Sequence, residues 1–312
     1  MAHRVTIAGG TCAVAEGLAA RLGEGFAVRR ISASIAPTLG TWRVDLTSIS
    51  ETEVACANSQ TLVVLARTPR VASWKRRGQV DDVDRLVADS LARAARRCGV
   101  EHVILFACGA AGEDARESIL RASGLPLSVL RGGGPDPAVH LDALVRRGPG
   151  GDLEAPGWTN ESVMPPRPRR DFSSVQRFAR PGAWSAAQLS QAYFRWLSSE
   201  VPSVRVESSA DAENVYLLGV KVLVLRRLKG LAEPDSSVFE VFGGALARPG
   251  GRLELRILLD GLWATMHLGA FRPTLPGPLY AVTQALVHER LVRRFGAWVN
   301  AQPGTLDTPS GT

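Results

Sequence analysis

The sequence predicts an α/β chain, a doubly wound parallel sheet followed by a smaller α+β domain. Three observations predict it. Residues 1–150 alternate short, nearly all-apolar runs with helical patterns, as βαβ units do. A Gly/Pro-rich stretch, "RRGPGGDLEAPGW" and then "VMPPRPRRD", interrupts that alternation. Beyond it, strand-like runs group together between two helical patterns, which is an α+β order. The expected divisions are therefore 1–150, a linker at 151–170, a second domain at 171–301 and a disordered tail at 302–312.

Each element follows from its local pattern. Strands are expected at Arg4–Gly9, Ala27–Ser32, Thr61–Arg67, His102–Cys108 and Leu127–Gly133, where apolar runs suit a sheet covered on both faces. Helices are expected at Ala13–Leu22, Ser50–Asn58 and Gln79–Gly99. The last carries Val83, Leu86, Val87, Leu91, Ala94 and Ala95 near a 3.6 period and stops at a glycine. In the second part, Ser185–Val201 reads as an amphipathic helix. The runs "VYLLGVKVLVLRRL", "SVFEVFGGALAR", "GRLELRILL" and "LWATMHLGAF" read as strands, with "RPGGR" as a hairpin turn between two of them. Gly243–Gly244 suggests a bulge or close backbone approach, and "LYAVTQALVHERLVRRFGAWVNA" closes the chain as a helix.

Composition narrows the classes. Hydrophobic residues at 45% and charged residues at 21% are ordinary for a soluble globular protein. No apolar run reaches the ~20 residues that span a bilayer, and no leader pattern precedes the first strand, so a cytoplasmic protein without a membrane partner is expected. The net charge of +7 comes almost wholly from arginine, with lysine only at Lys75, Lys221 and Lys229. The short basic clusters lack interleaved aromatics in sequence, so no nucleic-acid partner is expected. Cys12, Cys56, Cys98 and Cys108 form no C-x-x-C pair, and no two histidines stand at i, i+4, so no metal site is expected.

The chemical signal lies in "RVTIAGGTCAVAEGLAARLGEG", Arg4–Gly25. A strand, a glycine turn and a helix make a Rossmann-type nucleotide-binding unit, in which the turn and the helix N-terminus face a pyrophosphate. Gly9 and Gly10 supply the tight turn, with Thr11 beside them, and Ala15 suits close helix packing. Cys12 places a side chain where the backbone should be bare. No acidic residue ends the second strand. Arg29 and Arg30 are placed either to accommodate a 2′-phosphate, which favours NADP over NAD, or simply as strand-edge arginines.

The order of landmarks resembles the atypical or extended short-chain dehydrogenase/reductase family, which is NAD(P)H-binding and epimerase/dehydratase-like. The segments that carry the resemblance are "AGGTCAVAEGLAARL", "RVDLTSISETEVACANSQTLVVLA", "LARAARRCGVEHVILFACGA" and "LRASGLPLSVLRGG". It covers roughly Arg4 to Gly133. The later segments "FGGALAR" and "TQALVHERLVRRFGAW" are similar to a helper domain that follows such proteins. The resemblance implies cofactor contacts from Gly9, Gly10, Thr11, Cys12, Asp45 and Ala66, with Asp45 on the adenine side or serving only as a strand end or cap.

The family's acid/base machinery is absent. Cys108 stands near the position of its serine, and "GAAGEDARESILRASG" has neither the tyrosine nor the lysine of the Tyr-x-x-x-Lys pair. Tyr193, Tyr216 and Tyr280 all lie in the second part. His267 and His288 are candidate pocket residues or ordinary structural histidines, and the catalytic residue is left unassigned. Two functions remain open. One is an atypical NAD(P)H-dependent oxidoreductase acting on an apolar or aromatic small molecule. The other is a non-catalytic nucleotide-sensing or ligand-binding scaffold with a degenerate dinucleotide site.

Overall fold

A computed structural model describes residues 2–33, 37–65, 76–77, 80–107, 116–132, 136–154, 172–180, 182–231, 233–276 and 284–302. The chain packs as two compact units, 1–71 with 83–168 and 72–82 with 169–312. Most of the expected linker and tail, from residue 155 and residue 303 respectively, lies outside the described residues.

In the first unit, β1 (His3–Ala8), α1 (Ala13–Leu22), β2 (Phe26–Ser32), β3 (Thr41–Arg43), α2 (Ile49–Cys56) and β4 (Thr61–Val64) follow in order. A two-residue strand β5 (Arg76–Arg77) then joins the other unit's sheet. The chain returns through α3 (Val80–Arg97), β6 (His102–Ala107), α4 (Glu117–Ala122), β7 (Leu127–Arg131), α5 (Pro137–Arg147) and β8 (Leu153–Glu154). The sheet has the order β3-β2-β1-β4-β6-β7-β8 and its pairs are parallel. This is the doubly wound α/β fold.

Helices cover both faces. Val5, Ile7, Val63, Ile104 and Leu130 share a core with Leu18 of α1 and Leu141 of α5. Gly17 brings α1 close to α5, since a Cβ there would lie 3.2 Å from that of Ala138. On the opposite face, Thr6 Oγ1 donates to the Ala55 carbonyl of α2 at 3.4 Å, and Thr52 of α2 donates to the Ser90 carbonyl of α3 at 3.3 Å. α5 has clear start and stop residues in Asp136, which caps the Ala138 amide, Pro137 in the first turn, and Gly148.

The second unit is an α+β domain. Its strands are β9 (Phe172–Ala179), β10 (Val204–Ser208), β11 (Ala212–Leu217), β12 (Val220–Arg227), β13 (Ser236–Gly243), β14 (Arg252–Ile257) and β15 (Trp263–Phe271). The order is β10-β11-β12-β13-β14-β15-β9-β5, antiparallel except for the final β9–β5 pair. The run "VYLLGVKVLVLRRL" is thus a hairpin, turning at residues 218–219. α6 (Ala186–Glu200) and α7 (Gln284–Asn300) share one aromatic core with the sheet, including Phe178, Tyr193, Phe194, Trp196, Phe239, Met266 and Phe295. Gly296 allows the close approach of α7, because a Cβ there would lie 2.9 Å from that of Phe178. Gly244 has φ +132°, and a Cβ would stand 2.3 Å from the Val222 carbonyl oxygen, which accounts for the glycine pair after β13.

Candidate functional site: the first turn and the strand ends

β1 lies beside β4 where the strand order reverses, so the turn from Gly9 to Cys12 leaves the sheet at its topological switch point. Gly9 has φ +100°, and the amides of Gly9 and Gly10 both donate to the Ile31 carbonyl, at 2.9 and 3.1 Å. Gly10 is needed for close packing against β2, because a Cβ there would come within 2.7 Å of the Arg30 Cβ. The glycine pair therefore holds the turn to its neighbouring strand.

Cys12 is the N-cap of α1, at φ −93° and ψ 155°, extended backbone that any residue adopts. Losing a glycine here costs no backbone strain. The thiol is another matter. Burial raises its pKa, against the opposing pull of the Ala15 and Val14 amides at the helix N-terminus, and Glu16 adds to the rise. Cys12 therefore brings a side chain to the helix N-terminus that an anion would otherwise meet, without making a capping hydrogen bond. Ala15 is fully buried, as close packing requires.

The two arginines part company. Arg29 stands beside Thr6 and Arg30 beside Ile7, so they point to opposite faces. Arg29 donates to the Ala55 and Ala57 carbonyls at the end of α2 and lies 4.1 Å over the Trp42 ring. Burial, then Arg4, lowers its pKa. Arg30 stays with the turn, 3.5 Å from the Gly10 carbonyl and 3.5 Å from the Glu16 carboxylate. Ser32 ends β2, at the place where an acidic residue would hold a ribose. Asp45 organises its own turn, accepting from the Thr47 amide at 3.2 Å and hydroxyl at 2.7 Å before Ser48 caps α2. Thr11 sits half-buried in the turn; Ala66 lies outside the described residues.

At the carboxyl ends of β6 and β7 a charged cluster appears that composition and spacing did not single out. Arg116 is fully buried and donates to the Phe106 carbonyl at 2.9 Å. Glu117, also buried, accepts from Arg131 at 2.7 Å and from Arg121 at 2.7 Å. The i,i+4 pair Glu117–Arg121 was a readable sign of it. The helix there, α4, spans six residues and contains neither tyrosine nor lysine. Cys108 lies outside the described residues.

The second unit gathers its polar residues on the sheet face away from its helices. Glu254, Arg256, Thr265 and His267 are each at most 2% exposed. Glu254 Oε1 accepts from Arg256 Nε at 2.7 Å and from the Ser236 hydroxyl at 2.9 Å. Burial pushes the Glu254 carboxyl up, but Arg256, Arg252 and His267 outweigh it and leave the pKa lowered. His267 Nε2 is 3.5 Å from the Ser173 hydroxyl, and its ring fills the space that a Cβ on Gly269 would need. Arg177 pairs with Asp82 at 2.8 Å and lies 3.9 Å over Trp263. Tyr193 belongs to the apolar core, where burial pushes its phenol up to about 12 and keeps it protonated. Burial pushes His288 on α7 down to about 4, and Tyr280 lies outside the described residues. Among the described residues, no group of three or more His, Cys, Asp or Glu is placed to hold a metal ion, and no helix is long and apolar enough to cross a membrane.

No family model matches the chain, and no curated protein matches it. Solved structures similar to part of it include epimerases, enzymes in complex with NAD and a member of the short-chain dehydrogenase/reductase family. One is an oxidoreductase of the short-chain dehydrogenase/reductase family from Brucella ovis with a partially ordered NAD, at 12% identity and TM-score 0.38, covering 49% of this chain and 99% of that one. Another is the UDP-N-acetylglucosamine 4-epimerase of Bacillus cereus, at 15% identity and TM-score 0.35, covering 42% of this chain. A third is the Bordetella bronchiseptica enzyme WbmH with NAD+, at 15% identity and TM-score 0.36, also covering 42% of this chain. The chain spans about half the length of the last two, 54% and 56%. What those proteins bind or catalyse is not carried over by likenesses at this level.

Proposed function

We propose that the chain is an atypical NAD(P)H-dependent oxidoreductase of the short-chain dehydrogenase/reductase kind. Its substrate is an apolar or aromatic small molecule, and it works without a Tyr-x-x-x-Lys pair. The observation that carries this reading is the β1–α1 turn, a glycine-built turn running into a helix N-terminus at the switch point of a parallel sheet. The bound dinucleotide would supply hydride. Gly9, Gly10, Thr11 and Cys12 would line its pyrophosphate, and Asp45 and Ala66 would lie toward the adenosine. Arg30 beside the turn, with Ser32 rather than an acid ending β2, makes NADPH the better match. Arg29 would act indirectly, by fixing α2.

The scaffold reading is favoured by one specific observation, a cysteine rather than a glycine at the N-cap of α1. Titration with NADPH and NADH, followed by energy transfer from the tryptophans, separates the oxidoreductase from a scaffold that has lost nucleotide binding, and oxidation of bound NADPH by added carbonyl compounds separates it from a nucleotide sensor. The oxidoreductase reading expects micromolar binding, tighter for NADPH. A Cys12→Gly variant should bind about tenfold tighter, because the phosphate then reaches bare backbone. Absence of binding at millimolar concentration in both proteins leaves the scaffold.

A further inference from the structure

The hairpin between β11 and β12 pairs Leu217 with Val220 and turns through Leu218 and Gly219. Both turn residues have positive φ, 51° at Leu218 and 82° at Gly219, the type I′ pattern that favours Asn-Gly or Asp-Gly. Leucine is a strained choice there. It is also exposed: Leu218 by 77%, Val220 by 55% and Leu217 by 38%. Neither backbone geometry nor packing within the chain accounts for an aliphatic tip of this kind.

Immediately behind the tip, on the sheet face away from the helices, Tyr216 is flanked by two cations. The Arg205 guanidinium lies 4.6 Å over its ring and the Lys221 ammonium 5.5 Å from it. Arg205 also pairs with Glu207 at 2.7 Å, so Lys221 is the cation less engaged with carboxylates. Further along the same face, Arg226 lies 4.2 Å over Phe242, itself 50% exposed. An aliphatic tip backed directly by one rung on which Arg205, Tyr216 and Lys221 stand side by side is what an interfacial protein presents to acyl chains and to the headgroup and phosphate layer above them. A nucleic acid would use the rings and cations but not the three aliphatic residues.

We propose that this hairpin docks the protein on the surface of an anionic phospholipid bilayer. Leu217, Leu218 and Val220 enter the acyl boundary, and Lys221 and Arg205 face the phosphates. The net charge of +7 adds long-range attraction. The expectation of no membrane partner rested on the lack of a spanning segment, and a surface contact needs none.

The test is co-sedimentation of the full chain with vesicles of phosphatidylcholine alone or mixed with phosphatidylglycerol. The protein should sediment with the anionic vesicles, less with the neutral ones, and less as salt rises. Leu218→Asn creates the favoured Asn-Gly turn, so its melting temperature should hold or rise while vesicle binding drops about tenfold. Lys221→Ala should lower binding about fivefold. Equal binding by wild type and Leu218→Asn, or none to either vesicle, overturns the proposal. So does a wild-type self-association, seen by light scattering, that Leu218→Asn abolishes, because the tip would then be an interface between copies.

Discussion

In the parallel sheet the central strands bury aliphatic side chains on both faces, Val5 and Ile7 on one and Leu62 and Val64 on the other. In the antiparallel sheet one face is aromatic and aliphatic under α6 and α7, while the other buries Glu254, Arg256, Thr265 and His267. The difference follows from what covers each. Helices on both sides leave the interior of a parallel sheet little room for charged groups, and its buried polar residues, such as Thr6 and Ser128, are uncharged and hydrogen-bonded. Among the described residues its candidate chemistry lies at the β1–α1 turn and the carboxyl ends of β6 and β7. A sheet with helices on one face can carry charge along its length, provided each charge is paired.

Arg256→Ala is the strongest way to break this contrast. It leaves the Glu254 carboxylate with the Ser236 hydroxyl and the more distant Arg252, and should cost about 3–5 kcal/mol in urea unfolding. Replacing Glu254 and Arg256 together by leucine should cost far less, since no lone charge remains. If the single variant is as stable as wild type, the face is not closed to water and the contrast fails.

A smaller effect separates the units by pH. Burial, reinforced by Arg147 and His3, holds His102 down at about 4 although it keeps a 2.9 Å bond to Ser128. The unfolded chain takes up that proton near 6.5. Stability should thus be full above pH 6.5 and fall by about 3 kcal/mol as the pH drops toward 4. His102→Gln should remove the slope in the first unit. His288→Gln should remove a matching slope in the second, where burial has the same effect. Glu254 behaves differently: with its pKa lowered, its contribution persists until the pH passes below the ordinary glutamate range. Unfolding measured at steps from pH 7 to 4.5 assigns each share.

The smallest effect concerns helix starts. Ser185 accepts the Gln188 amide at 3.2 Å while Gln188 returns a 2.8 Å bond, a full capping box. Ser48 caps α2 by a single 3.4 Å contact. Ser185→Ala should lower stability by about 1 kcal/mol and Ser48→Ala by roughly half that. Equal losses would show that the reciprocal bond adds nothing.

The parallel sheet was legible because doubly covered strands leave uninterrupted apolar runs, and α1, α2 and α3 were found within a few residues. β3 and β8 escaped notice because short edge strands such as Thr41–Arg43, with Trp42 and Arg43 exposed, carry no such run. α5 did have its signals in Asp136, Pro137 and Gly148. The β11–β12 turn read as continuous strand because Leu218 stands where Asn or Asp would announce it. At the site, the glycine pair could be read from sequence, but the facing of Arg29 could not, since one residue of register decides which side of the sheet it serves. The alternation in "RLELRILL" marked Arg252, Glu254 and Arg256 as one face. Whether that face met water or was buried is a tertiary property that period alone does not encode.

Residues 72–82 give the gene an uneven seam. The chain passes from one unit to the other after residue 71, returns after 82 and crosses again after 168. β5, laid down early in synthesis, waits for β9 to emerge some hundred residues later before its edge of the second sheet can close. A fragment starting at residue 169 would lack that strand, and a transplanted front half would carry it into a foreign neighbour. A cut or a recombination joint at the Pro/Gly-rich stretch would therefore not separate the two halves as intact modules.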